Sequence, residues 1–139
     1  MALPFGAATS DRVNCGSAAS LDNLDPFTWL AWVYPTTLTA GRRLAEKDSG
    51  DKRLVLSNGT GDIRFVINRA TTATEFVTND TPLAANAWRF IAASFSSAAA
   101  AGQVGNIYSG TLTAIAVERS YGTATDGSGT VNDDAAGSF

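Results

Sequence analysis

Phe27-Thr-Trp-Leu-Ala-Trp-Val-Tyr34, bracketed by Pro26 and Pro35, is the stretch on which the fold turns. Aromatic and β-branched residues suit a pleated, buried surface, and two prolines stop the run before a third helical turn could form. Large apolar side chains fall on both alternating faces. That pattern predicts a strand in the middle of a covered sheet.

Trp88-Arg-Phe-Ile-Ala-Ala-Ser-Phe95 repeats the pattern and reads as a second central strand. Between the two lie Lys52–Ser57 and Asp62–Asn68, joined by Asn58-Gly-Thr-Gly61, whose residues accept positive φ; this predicts a hairpin. In its second arm Ile63, Phe65 and Ile67 share one face, opposite Arg64 and Val66. Glu75–Thr78, Asn106–Ser109 and Leu112–Glu118 read as further strands, whereas the alanines at 98 to 101 are too few to nucleate a helix. Short strands separated by polar turns are the pattern of an all-β antiparallel sandwich, a jelly roll among them. Beyond Tyr121 almost nothing apolar remains except Val131, so the chain divides into a sandwich over 1–120 and a Gly/Thr/Asp-rich loop or tail over 121–139.

A chain of 139 residues can bury a core without staples, and 45% of it is hydrophobic. Only 17% is charged, which leaves a surface of Thr, Ser, Asn, Gly and Ala. The net charge of -3 and the scatter of the ten basic residues argue against a nucleic-acid groove. No apolar run reaches the roughly 20 residues of a membrane helix, and the N-terminus has neither the basic nor the apolar region of a secretory signal. The single cysteine, Cys15, allows no intrachain disulfide and reads as a small buried strand residue.

The chemistry-bearing residues are sparse. Histidine is absent, which removes the usual serine and cysteine triads and the commonest zinc ligand. Glycosidases need paired carboxylates, but the glutamates are Glu46, Glu75 and Glu118, far apart in sequence. Asp133-Asp134 could offer oxygen ligands to calcium, yet two carboxylates fall short of a calcium loop and read as a solvated acidic turn. The expectation is therefore a protein that is not an enzyme, with no metal site and no cofactor.

In order and spacing the segments from residue 5 to 118 resemble the concanavalin A-like, laminin G-like jelly roll in its microbial lectin/glucanase-like branch. The resemblance is carried by Phe5-Gly with Asp11-Arg-Val13, by Pro26-Phe-Thr-Trp-Leu-Ala-Trp-Val-Tyr-Pro35, and by the Lys47 turn with Leu54-Val-Leu and Gly61-Asp-Ile-Arg-Phe65. Pro82-Leu83, Asn86-Ala-Trp-Arg-Phe-Ile-Ala-Ala-Ser-Phe95 and Asn106-Ile-Tyr108 continue it. Such domains usually continue past the point matching Gly137-Ser-Phe139, so the resemblance implies a sandwich incomplete at its C-terminal end: a fragment, or a sheet edge completed by a neighbouring subunit. They usually act outside cells; a copy without a signal resembles virion components that leave by lysis.

The expected function is thus a non-catalytic interaction module, a structural or decoration component of a virion surface or similar assembly, with protein neighbours in a homo-oligomer or shell as partners. The alternative is a carbohydrate-binding, lectin-like module. The other aromatics, Trp29, Trp32, Trp88, Phe27, Phe65, Phe90 and Phe95, read as core. Tyr34, Tyr108 and Tyr121, nearer strand ends or loops, are the candidates for stacking on a sugar. Arg42, Arg43, Lys52 and Arg53, on a solvated hairpin flank, are the candidates for an interface with acidic neighbours.

Overall fold

The computed structural model describes residues 16, 18–47, 52–56, 59–133 and 135. After a 3-10 turn at Ala19–Leu21 the strands are β1 (Phe27–Val33), β2 (Arg43–Lys47), β3 (Lys52–Leu56), β4 (Ile63–Ile67), β5 (Thr74–Thr78), β6 (Arg89–Phe95), β7 (Gly105–Gly110), β8 (Val117–Glu118) and β9 (Tyr121–Thr125). They form two antiparallel sheets, one ordered β1-β6-β7-β8 and the other β2-β3-β4-β5-β9. The β3–β4 hairpin, β5, β6 and β7 fall where the sequence places them. Phe5-Gly and Asp11-Arg-Val13, which carry part of the resemblance, and Cys15 and Asp134 lie outside the described residues.

The core forms between the sheets from alternate positions of each strand. Ile63, Phe65 and Ile67 of β4 and Phe76 of β5 meet Ile91, Ala93 and Phe95 of β6 and Ile107 of β7, all buried. Phe27 packs on Phe65 and Phe95 with ring centroids 6.2 and 5.6 Å away, and Trp29 meets Phe65 edge-on at 6.2 Å. Rings at these distances and tilts gain electrostatic complementarity beyond their buried area. Two glycines make the packing possible. A Cβ on Gly105 would stand 2.7 Å from the Phe76 ring, and Gly61, at φ +108°, turns the chain where a Cβ would meet the Leu83 carbonyl at 2.4 Å.

Three expectations are corrected. Among the described residues β1 pairs with β6 alone, and its two-sided apolarity marks a strand with one buried and one exposed face and not a covered one. Its outward residues stand in solvent: Leu30 is 68% exposed and Trp32 49%. Second, the boundary at 120 falls inside the fold. Tyr121–Thr125 adds to the five-stranded sheet beside β5, and Val131 and Ser128 bridge to Arg69 and Thr72, because backbone pairing needs no apolar side chains. Third, of Leu112–Glu118 only Val117–Glu118 is strand; Thr111 Oγ1 accepts the N–H groups of Thr113 and Ala114 and holds the intervening residues in a turn.

Candidate binding face

The two outer faces of the sandwich differ sharply in charge. On the five-stranded sheet the register sets Glu46, Arg53, Val66 and Glu75 in one outward row, with Arg43 and Arg64 in the next. Arg64 Nε donates to Glu75 Oε1 at 2.8 Å, and Arg43 pairs with Glu46. Arg42 is exposed in the turn before β2, and Arg43 is exposed at its start. Arg53 is half-buried within its row, between Glu46 and Val66.

Lys52 was expected on this flank and is corrected. It faces inward and is 2% exposed, its Nζ 5.8 Å from the centre of the Phe27 ring. Opposite it Lys47, fully buried, donates to Asp22 Oδ1 at 2.8 Å. The alternation of the hairpin sends both lysines into the end of the sandwich, where a carboxylate and an aromatic face compensate their charge. Beside them Asp133 Oδ1 accepts from the Ala135 N–H at 3.0 Å and from Asn23 Nδ2 at 2.9 Å. These bonds, the backbone one first, hold its carboxyl below the usual range. Among the described residues no group of three or more side chains is gathered that could hold a metal ion.

The outer face of the four-stranded sheet is built differently. Tyr34 packs on Trp88, ring centroids 5.5 Å apart, and in the next row Trp32 meets Phe90 edge-on at 5.6 Å. The rows that follow run Leu30–Ala92–Tyr108–Glu118 and then Thr28–Ser94–Asn106. Along the sheet the face thus grades from aromatic to hydroxyl and amide groups. The last row opens into a shallow depression that Pro26, Ser96 and Gln103 also line. Within these rows Glu118 is the one charged side chain.

Of the tyrosines expected at a sugar, Tyr34 and Tyr108 lie on this face. Tyr121 does not, and that expectation is corrected. Its ring packs edge-on against Phe76 at 5.1 Å, and its Oη accepts the Ile107 N–H at 2.8 Å. Where β8 ends, the hydroxyl supplies the partner a further strand residue would have given, next to the Arg119 N–H that reaches the Ile107 carbonyl at 2.9 Å. Burial pushes the Tyr121 phenol up to about 12, with the nearby Glu118 charge adding to the effect.

Trp32, Trp88 and Phe90, expected in the core, form the outward aromatic rows instead, Trp32 exposed and Trp88 and Phe90 half-buried. The signal that could have found them is the polar row. Thr28, Ser94 and Asn106 stand at even spacing from Leu30, Phe90 and Tyr108 in three separate strands, a coincidence visible only once the strands are in register. The glutamates stay dispersed, for Glu118 lies on the neutral face, and Glu46 and Glu75 share a row on the other, about 14 Å apart at the usual strand spacing. That exceeds the roughly 5–9.5 Å over which two carboxylates flank a glycosidic bond.

Neither a curated protein nor a solved structure matches the chain at a significant level. A profile of the laminin G type described as the concanavalin A-like lectin/glucanases superfamily matches residues 7–131, nearly the whole chain and past the boundary drawn at 120. With two antiparallel sheets stacked as a jelly roll and this match along its length, the chain belongs to the concanavalin A-like lectin/glucanase superfamily, in a laminin G-like branch.

Proposed function

We propose that this domain is a non-catalytic recognition module that binds glycans across the outer face of its four-stranded sheet. The observation that carries the reading is the grading of that face, in which exposed rings at Trp32 and Tyr34 lie toward one end and the row Thr28–Ser94–Asn106 toward the other, with the row of Leu30, Ala92 and Tyr108 between them. A pyranose presents a C–H face that stacks on an aromatic ring and an equatorial belt of hydroxyls that needs donors and acceptors at its edge. One sheet face supplies both. The opposite face, laced with Arg–Glu pairs, carries donors and acceptors but no exposed ring among the described residues. Distant glutamates and the lack of histidine support the non-catalytic part.

A glycan array probed with the purified chain, with and without calcium, tests the reading. Binding that Trp32→Ala abolishes and calcium leaves unchanged is the expected result, and a silent array sinks it. A second reading, a structural or decoration component of a virion or comparable assembly, is favoured by a different observation: Leu112 and Ile115 on the β7–β8 turn are 71% and 87% exposed. Aliphatic side chains do not stack on sugars and suit a protein neighbour instead. In that case the array stays silent while Ile115→Asp weakens incorporation into the assembly. Either role places the protein at a virion surface or outside a cell.

A further inference from the structure

Resting on the glycan reading above, we infer that the ligand is an uncharged, extended chain of β-1,4-linked pyranoses, held lengthwise with its axis parallel to the strands of the four-stranded sheet. Side-chain size across the outer face makes a furrow in that direction. The middle strand β6 presents Phe90, Ala92 and Ser94 in succession, and the register sets Leu30 and Tyr108 on either side of Ala92. Leu30 is 68% exposed and Ala92 9%, so a wall stands high beside a low floor. The walls belong to strands two spacings apart, about 10 Å, which admits one sugar chain and not two abreast.

Toward one end the furrow meets the paired rings, Trp32 with Phe90 and Tyr34 with Trp88. Toward the other it passes Ser94 into the depression lined by Thr28, Ser96 and Asn106, whose volume of about 350 Å³ is at the small end for a ligand site and suits a single sugar residue. From Tyr34 to Thr28 the face runs about 20 Å at the rise of a strand, room for about four sugars of an extended chain.

A straight furrow of this length selects the linkage. Equatorial 1,4-bonds keep a pyranose chain straight and flat, whereas a coiled chain or a branch point would lift away from the floor. A stiff chain also loses little freedom when several of its residues are held at once. Glu118, next to Tyr108, brings the one charge of these rows. Its carboxylate accepts from the hydroxyls of a neutral sugar and repels uronates and sulfated sugars.

Titration calorimetry of the full chain with cello-oligosaccharides and, in parallel, N-acetylated chito-oligosaccharides of one to six residues tests this. In at least one series the affinity rises about tenfold from two residues to four and is flat from four to six, an added hydrogen-bonded sugar being worth a factor of that order. Acidic β-1,4-linked mannuronate oligomers do not bind, and added salt leaves the affinity for the neutral chain unchanged. Ala92→Tyr raises the floor halfway along the furrow and reduces the tetrasaccharide to the affinity of the disaccharide, which the rings at Trp32 and Tyr34 still hold. Thr28→Ala, at an exposed position, weakens the tetrasaccharide severalfold without touching the disaccharide, so the outcome does not hang on one variant folding. An affinity complete at the disaccharide or rising as steeply from four residues to six overturns the inference. So do a tetrasaccharide indifferent to both substitutions, silence toward both series, and binding of the acidic oligomers. Any of these beside an array that still shows Trp32-dependent binding leaves the glycan reading standing, and a silent array ends that reading as well.

Discussion

Tyr121→Phe isolates one hydroxyl whose work is defined by geometry. The substitution keeps the ring against Phe76 at 5.1 Å and removes the oxygen that accepts the Ile107 N–H at 2.8 Å. Ile107 is fully buried, so its N–H is left without an acceptor in a place water does not readily reach. Such a loss costs about 1–3 kcal/mol, or roughly 3–10 °C in melting temperature for a domain of this size. A second signature follows from the phenol, pushed up to about 12 by burial. The folded chain keeps this proton between pH 10 and 12 while the unfolded chain gives it up, so the unfolded state binds fewer protons and stability falls as pH rises. The contribution is fully present below pH 10 and is lost as pH rises through about 12. A shift of that size would correspond to about 2.7 kcal/mol for a sealed group, and with partial solvent access to about 1–2 kcal/mol. Urea unfolding at pH 7, 10 and 11.5 reads both effects. The wild type should lose stability across the alkaline steps, and Tyr121→Phe should start lower and lose less. Equal stability at pH 7 together with parallel alkaline slopes would refute the reasoning and return Tyr121 to the solvent-facing rim.

Removing the Asp22 carboxylate takes away a charge partner of the buried Lys47, so Asp22→Ala should cost about 1–3 kcal/mol in chemical denaturation, whereas Lys47→Met, which removes the buried charge itself, should cost less. Gly105→Ala forces a Cβ to within 2.7 Å of the Phe76 ring and should lower the urea midpoint by the equivalent of about 1–3 kcal/mol; adding Phe76→Leu should recover part of it. A double-mutant cycle on Arg64 and Glu75, a half-exposed pair at 2.8 Å, should return a coupling of about 0.5 kcal/mol that shrinks with added salt.

Much of the sheet architecture was legible because it rests on local signals. The Gly59–Gly61 turn between two β-branched arms, the alternation Ile63, Phe65, Ile67 and the run Trp88–Phe95 each carry their own period and punctuation. β2 and β9 were not legible for the opposite reason. Arg43-Leu-Ala-Glu-Lys47 hides its inward position behind a lysine, whose burial makes sense only once Asp22, 25 residues earlier, is seen beside its Nζ. Tyr-Gly-Thr-Ala-Thr125 has little to bury and owes its strand to the edge that β5 offers. Composition cannot reveal a strand made by its neighbour.

The candidate face exposes a deeper ambiguity in reading apolar runs. A strand apolar on both sides can be sandwiched between two layers or can bury one side and display the other, and hydrophobicity does not separate the cases. In Phe27–Tyr34 the distinction rests on small differences. The inward set is Phe27, Trp29, Ala31 and Val33; the outward set is Thr28, Leu30, Trp32 and Tyr34, and it alone carries hydroxyl groups. Rings with a polar tip suit a surface wet on one side and greasy on the other. The same test applied to Trp88–Phe95 assigns Trp88 and Ser94 to the outward set. Hydroxyl groups distributed by parity, and not apolarity itself, therefore carry the information about which side of these two strands faces solvent.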